Sequence, residues 1–310
     1  MSTWSFSSSR LFRKCQRQWY FKNYVASAIA KDKTRREAFL LSKLQTLYAW
    51  RGSIIDQVIL MRYVPSLNRG KIVSLSELHK YAKEVFDRQL KFARANRMRE
   101  PGMKVTETGD SFAAFYDVEY GTGVTKNDLE AAWQDIKCAL TNLLDMTDLF
   151  ERLLTASYLV AQRSLTFTHD GVKAQMQPDL IAFFDDQSPL IIDWKVHTFG
   201  FQDYRLQLAL YALALTSCKP HKDFPVGLDR YQATDVQITE IQLLTMQQRS
   251  YHLTDADIDA VSDYIALTAL DMQLAVDPFD GELAIREIPT TTSPDECPHC
   301  PFRSLCWKQG

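Results

Sequence analysis

The chain has 310 residues, 46% of them hydrophobic, which excludes a disordered chain and suits one large domain or two smaller ones. Its longest apolar stretch, around "LQLALYALALTSC" from Leu206, is too short to cross a bilayer, and "MSTWSFSSSRLFRKC" lacks an apolar signal core, so the expectation is a cytoplasmic protein without membrane association. The net charge of -2 excludes little, because its distribution is uneven: residues 1 to 36 hold nine Lys or Arg and one acid, residues 71 to 99 eight and three, and residues 251 to 296 eleven acids beside Arg286.

In chain order, "SFSSSRLFRKCQRQWYFKNYV" predicts a helix capped by one of Ser5 to Ser9. A second helix is expected from about Thr34 to just before Pro65, a long basic one from Ser76 to Arg99 closed by "PGMK", and another from Lys126 to Tyr158. The period then changes. "RSLTFTHDGVKAQMQPDLIAFFDDQSPLIIDWKV" alternates and is cut by "HDG" and "DDQS", which predicts a meander of three strands. "FQDYRLQLALYALAL" reads as a helix, "DVQITEIQLLT" as a strand, and Thr254 to about Val276 as an acidic helix capped by Thr254; the tail "PTTTSPDECPHCPFRSLCWKQG" has too many turn residues for regular structure. These elements divide into a helical part (1–65), a further helical segment (66–155), a mixed core (156–250) and a C-terminal helix with a cysteine-rich segment (251–310), together one mixed α/β fold.

Within "LIIDWKVH" the side chains of Asp193 and Lys195 share one face of a strand, opposite Ile192, Trp194 and Val196. Taken alone, that is an ordinary surface ion pair. Asp179 stands fourteen residues earlier, after Pro178 and before the apolar run "LIAFF", and the "DDQS" turn can bring it beside Asp193 at one end of a sheet. Two carboxylates meeting there repel unless a hard divalent cation such as Mg or Mn lies between them.

Six cysteines occur, and three of them, Cys297, Cys300 and Cys306, fall within "CPHCPFRSLC", a spacing that suits one soft metal centre but is one thiolate short of four. Cys138 and Cys218 lie in apolar helical stretches and read as core residues, and His299 is a spare ligand. A disulfide framework does not suit a cytosolic chain of this size.

Pro178-Asp179 followed by Asp193-x-Lys195 resembles the PD-(D/E)xK nuclease superfamily, and Gln207 and Tyr211, four apart in "YRLQLALY", resemble the Q-x-x-x-Y element of its RecB-like and AddB-like members. The resemblance covers about residues 1 to 60 and 160 to 310, which makes 66–155 a helical insertion. It implies a restriction-endonuclease-like core sheet flanked by helices. It also implies a divalent ion held by Asp179, Asp193 and the Trp194 carbonyl, with Lys195 orienting a water and Gln207 and Tyr211 placing the strand. Where relatives have G-x-x-x-H, this chain has Gly52-Ser-Ile-Ile-Asp56, so Asp56 is either a ligand to the same ion or a solvated helix residue. Relatives often follow the lysine with Thr-Gly; here Val196 and His197 stand there, with no role assigned to His197. Iron-sulfur members of the group carry one cysteine early and three after the core, which implies Cys15 as the fourth ligand of a [4Fe-4S] cluster clasping the two ends of the chain, zinc being the alternative.

Arg10, Arg13, Lys14 and Arg17 crowd around Cys15 with Trp19, Tyr20 and Phe21 beyond, and bases beside aromatics suit single-stranded DNA; Tyr204 joins this DNA-binding set. Arg88, Lys91, Arg94 and Arg97 either line the same path or form a solvated helix face. The reading is a metal-dependent DNA nuclease acting on single-stranded ends or flaps. The alternative is a catalytically weak DNA-binding or adaptor subunit serving a CRISPR-adaptation, recombination or repair complex.

Overall fold

The computed structural model of the chain describes residues 3–96, 109–121, 123–197, 204–279 and 283–308. Ser5 caps α1 (Phe6–Lys14), its hydroxyl accepting the Ser8 N–H at 3.2 Å. The long first helix expected from the sequence is broken at Cys15, whose extended backbone separates α1 from α2 (Gln16–Tyr20) and from a π-helical turn over Phe21–Val25. The second expected helix is divided into α3 (Lys33–Leu41) and α4 (Leu47–Val58). It does not stop at Pro65: a π-helical turn over Ile59–Tyr63 leads into α5 (Val64–Leu67), where proline in the first turn lacks only an N–H that the turn leaves spare.

The basic segment forms α6 (Leu75–Ala95), while Arg97 and "PGMK" lie outside the described residues. After α7 (Tyr116–Glu119), the helix expected from Lys126 to Tyr158 is instead α8 (Lys126–Asp145) and α9 (Thr147–Leu154), and Tyr158 opens a strand, β1 (Tyr158–Ala161). Cys138 is exposed on α8 rather than in the core, whereas Cys218 is buried as expected.

The predicted three-strand meander is split between two sheets. β2 (Leu165–His169) and β3 (Val172–Met176) pair with each other through a two-residue turn in which Asp170 and Gly171 both have positive φ, the geometry that matches strand twist. Pro178, with no N–H for a ladder, ends that pairing before β4 (Leu180–Phe183), which joins the main sheet. β4 runs antiparallel to β1 and β5 (Leu190–Lys195); β5 runs parallel to β6 (Gln237–Gln242), and β6 antiparallel to β7 (Gln247–Tyr251), giving the order β1-β4-β5-β6-β7. β7 escaped prediction because "QQRSY" is a largely exposed, polar edge strand with no apolar face.

The crossover from β5 to β6 carries α10 (Arg205–Ser217). Leu208 to Leu215 are all buried because α10 packs against β2 and β3 as well as β5 and β6, which explains why the helix is apolar almost all round. Phe201 to Asp203, expected at its start, lie outside the described residues. Thr254 caps α11 (Asp255–Leu274) through reciprocal bonds with Asp257. The tail, expected to be irregular, holds a 3-10 turn over Pro294–His299 and α12 (Arg303–Lys308).

The chain thus forms the mixed α/β fold expected, a five-stranded and mostly antiparallel sheet with flanking helices. It divides into two compact units: Met1–Thr46, Asp87–Val124 and Ala266–Gly310 form one, and Leu47–Phe86 with Thr125–Ile265 form the other. Among the described residues no helix is long and apolar enough to cross a membrane.

Candidate active site and cysteine pocket

β5 is a central strand whose Leu190, Ile191 and Ile192 are buried by neighbours on both sides, yet Asp193, only 2% exposed, follows them directly. The antiparallel register pairs Leu180 with Ile192, so the next place along sets Asp179 against Asp193 at the rim of the sheet. Asp179 is anchored there: its Oδ2 accepts the Trp194 N–H at 2.8 Å, and its carboxyl lies within the field of Asp193. Lys195 forms an ion pair with Asp193 Oδ2, and its ammonium lies 4.4 Å from the centre of the Tyr204 ring. Tyr204 itself is buried and bonds His197 Nε2 through its hydroxyl at 2.8 Å, a supporting contact beneath Lys195.

Helices bring the rest. From α10, Gln207 Nε2 donates to the Tyr211 hydroxyl at 2.6 Å and reaches Asp193 Oδ1 at 3.5 Å, so the four-residue spacing does bring these side chains together. From α4, Asp56 lies within the fields of Asp193 and Lys195. Burial first, then Asp193, pushes its carboxyl up to about 6 against the opposing pull of Lys195. Asp179 is held well above the usual carboxylate range by burial and by the charges of Asp193 and Asp56, and burial also raises Asp193 despite Lys195. Tyr211 is pushed up by burial and by the same three carboxylates, which keeps it a hydroxyl donor.

Two members of this site were not read from the sequence. Glu240 on β6 pairs in register with Asp193 and is 1% exposed; its oxygens accept from Tyr251 Oη at 3.1 Å and Gln242 Nε2 at 2.6 Å. Arg51 on α4, 6% exposed, is paired with Asp135 of α8 and donates to the Val196 carbonyl at 2.8 Å. The signal existed in both cases: a single charge inside an otherwise uncharged stretch, "QITEIQ" and "LYAWRGSII".

Among the described residues, no three His, Cys, Asp or Glu side chains stand closed around a common metal position. The donor chemistry nevertheless fits a hard divalent ion. Asp56, Asp179 and Asp193 are pressed together out of water, where only a proton, a lysine or a cation relieves their repulsion.

In the other unit, Cys15, Cys297, Cys300 and Cys306 line one pocket. The break that ended α1 serves this pocket, since Cys15 Sγ accepts the Gln18 N–H at 3.4 Å. Burial, then the neighbouring cysteines, pushes the Cys300 thiol up to about 12, and Cys297 is raised by desolvation and by Cys15 and Cys306. Four thiols within one another's fields suit a soft centre that takes thiolates, and His299 is not among the residues lining the pocket.

Of the basic set, Arg10, Arg13 and Lys14 are exposed, Lys14 pairing with Glu296 at 2.5 Å. Arg17 is buried and committed to the carbonyls of Ile288 and Arg286, with Cys306 Sγ 4.0 Å away. Trp19, Tyr20 and Phe21 are buried in the core of this unit; the expectation that they stack on bases is corrected by their 0 to 2% exposure. Arg88, Lys91 and Arg94 are exposed on α6.

A family model described as the PD-(D/E)XK nuclease superfamily matches residues 3–307, including the segment that the sequence resemblance had set aside. A search of curated proteins finds no match. Among solved structures, the chain is similar to a protein from Eubacterium rectale described as a putative exonuclease, at 13% identity and TM-score 0.40, over 95% of this chain and 91% of that one. It is also similar to SSO0001, at 12% identity and TM-score 0.29, over 72% and 95%.

Proposed function

The chain belongs to the PD-(D/E)XK nuclease superfamily, and from that premise we propose that it is a divalent-metal-dependent deoxyribonuclease acting on single-stranded ends or flaps. The observation that supports this most directly is the meeting of Asp179, Asp193 and Lys195 at one sheet rim, with Gln207 and Tyr211 over them and Asp56 beside them.

Asp179, Asp193, Asp56 and the Trp194 carbonyl would hold Mg or Mn. When bound, such an ion lowers the pKa of a water and draws charge from a phosphodiester oxygen. Lys195, kept beside Asp193, donates to the attacking water or to the oxygen on which charge builds. Hydrolysis then joins the water oxygen to phosphorus and breaks the bridging P–O bond, the proton given up by the water ending on the departing oxygen, with Gln207 and Tyr211 donating to the phosphate and fixing the strand.

Within the same reading, the four cysteines hold a [4Fe-4S] cluster as in RecB-like and AddB-like relatives, with zinc as the other occupant their chemistry admits. Exposed Arg10, Arg13 and Lys14 engage single-stranded DNA, and protein partners in CRISPR adaptation or repair fit a nuclease of this group. The test incubates anaerobically purified protein with end-labelled single-stranded DNA and Mn, beside Asp193→Ala. Digestion lost in the variant is the expected result. Equal residual digestion in both would overturn the enzyme reading in favour of a DNA-binding or adaptor subunit. Absorbance near ~400 nm marks iron-sulfur, and colourless protein containing zinc rejects it.

A further inference from the structure

We propose that Tyr116, Tyr120 and Arg303 form a brace that fixes the Cys297–Cys300 loop for metal binding, giving the segment around α7 its role. The inference rests on the four-thiolate reading above. In "CPHCP" the two prolines have no N–H, so the polar groups by which the loop can be held are largely its carbonyls.

Two of those carbonyls are taken. The Pro298 carbonyl accepts from the Tyr116 hydroxyl and from Arg303 Nη1 at 2.6 Å. The Pro301 carbonyl accepts from the Tyr120 hydroxyl at 2.5 Å, which also lies 3.3 Å from Ser304 Oγ. Residues 298 and 301 bracket Cys300, so both sides of that thiol are pinned.

The two tyrosines stand four residues apart on one helical face, their ring centres 4.7 Å apart. The Arg303 guanidinium lies 4.1 Å from the Tyr120 ring centre and 5.3 Å from that of Tyr116, and Arg303 also lines the cysteine pocket. The brace therefore sets a cation at the pocket wall and holds the backbone on which two of the four thiols stand. Like-charged thiolates repel before a metal joins them, and a loop held from outside does not open under that repulsion. Tyr116 is buried, and that burial pushes its hydroxyl up against the opposing pull of Arg303, so it remains a donor to the Pro298 carbonyl.

The discriminating variant is Tyr116→Phe with Tyr120→Phe in the full chain, because both rings and their packing under Arg303 are kept while both hydroxyl bonds are lost. Two measurements are made on wild type and variant. One is the rate at which an iron or zinc chelator removes metal from anaerobically purified protein, followed with iron, sulfide and zinc content. The other is hydrogen exchange of amides 294–303 in chelator-stripped protein. The brace predicts metal loss about tenfold faster and faster exchange confined to that loop, the size expected for lost hydrogen bonds of ordinary strength. Unchanged exchange, or unchanged release from a metal-loaded wild type, overturns it. Wild-type protein without metal would sink the four-thiolate reading, and the exchange comparison would then decide the brace by itself.

Discussion

Asp56 keeps its charge only against resistance, because burial and Asp193 push its carboxyl up to about 6 while Lys195 pulls the other way. The unfolded chain titrates this group near the ordinary aspartate value, so the folded state favours the protonated form. That stabilisation is complete below about pH 4 and is lost as pH rises through about 6, a difference of roughly 3 kcal/mol for a shift of about two units. Asp179 and Asp193 are shifted the same way and add to the slope. Metal-stripped protein is therefore expected to melt at progressively lower temperature between pH 4 and 7. Asp56→Asn should shrink that decline, and Mn should reverse it by favouring the charged carboxylates. Thermal melts across this range check the sign, and an identical decline in wild type and Asp56→Asn would contradict it.

Between elements, Arg51 links α4 to both α8 and the end of β5, through Asp135 and the Val196 carbonyl. Its acceptor Val196 stands one residue past Lys195, and Arg51 itself stands five residues before Asp56 in the helix, so it ties together the two elements that carry the carboxylate group. Arg51→Ala leaves Asp135 and a carbonyl without their partner, and the single-turnover rate should fall about 10- to 100-fold, with a smaller change in DNA affinity. Arg51→Lys should restore part of the loss, since an ammonium cannot serve both acceptors in the same fork. Equal rates in all three proteins would show that the link is only structural. The strand and helix that carry the site were legible because a short apolar run after a turn leads straight into Asp193, and a long apolar stretch of helix formers carries Gln207 and Tyr211. What the pattern hid were places where tertiary contacts overrule it. Cys15 breaks a helix that propensity would continue, Pro65 continues one that it would end, Pro178 sends adjacent strands to different sheets, and the buried charges of Glu240 and Arg51 are tolerated because folding supplies Tyr251 from the next strand and Asp135 from another helix.

At the scale of the whole molecule, charge that is segregated along the chain is only partly available after folding. Arg17 spends its guanidinium on the carbonyls of Ile288 and Arg286 and Lys14 pairs with Glu296, while Arg10 and Arg13 of α1 are exposed. On α6, Arg88, Lys91 and Arg94 are exposed, recur every three residues and drift around the helix, a spacing more typical of a solvated face than of the wall of one groove. These two sets are separable by salt. Each phosphate contact to a single strand contributes about 0.7 to the slope of log affinity against log salt. Arg10→Gln with Arg13→Gln should therefore weaken single-strand binding and flatten the slope by about 1.4 between 50 and 200 mM salt. Arg88→Gln, Lys91→Gln and Arg94→Gln together should leave the slope within error of wild type. The opposite pattern would move the DNA path from α1 to α6, and no change in either set would remove both helices from it.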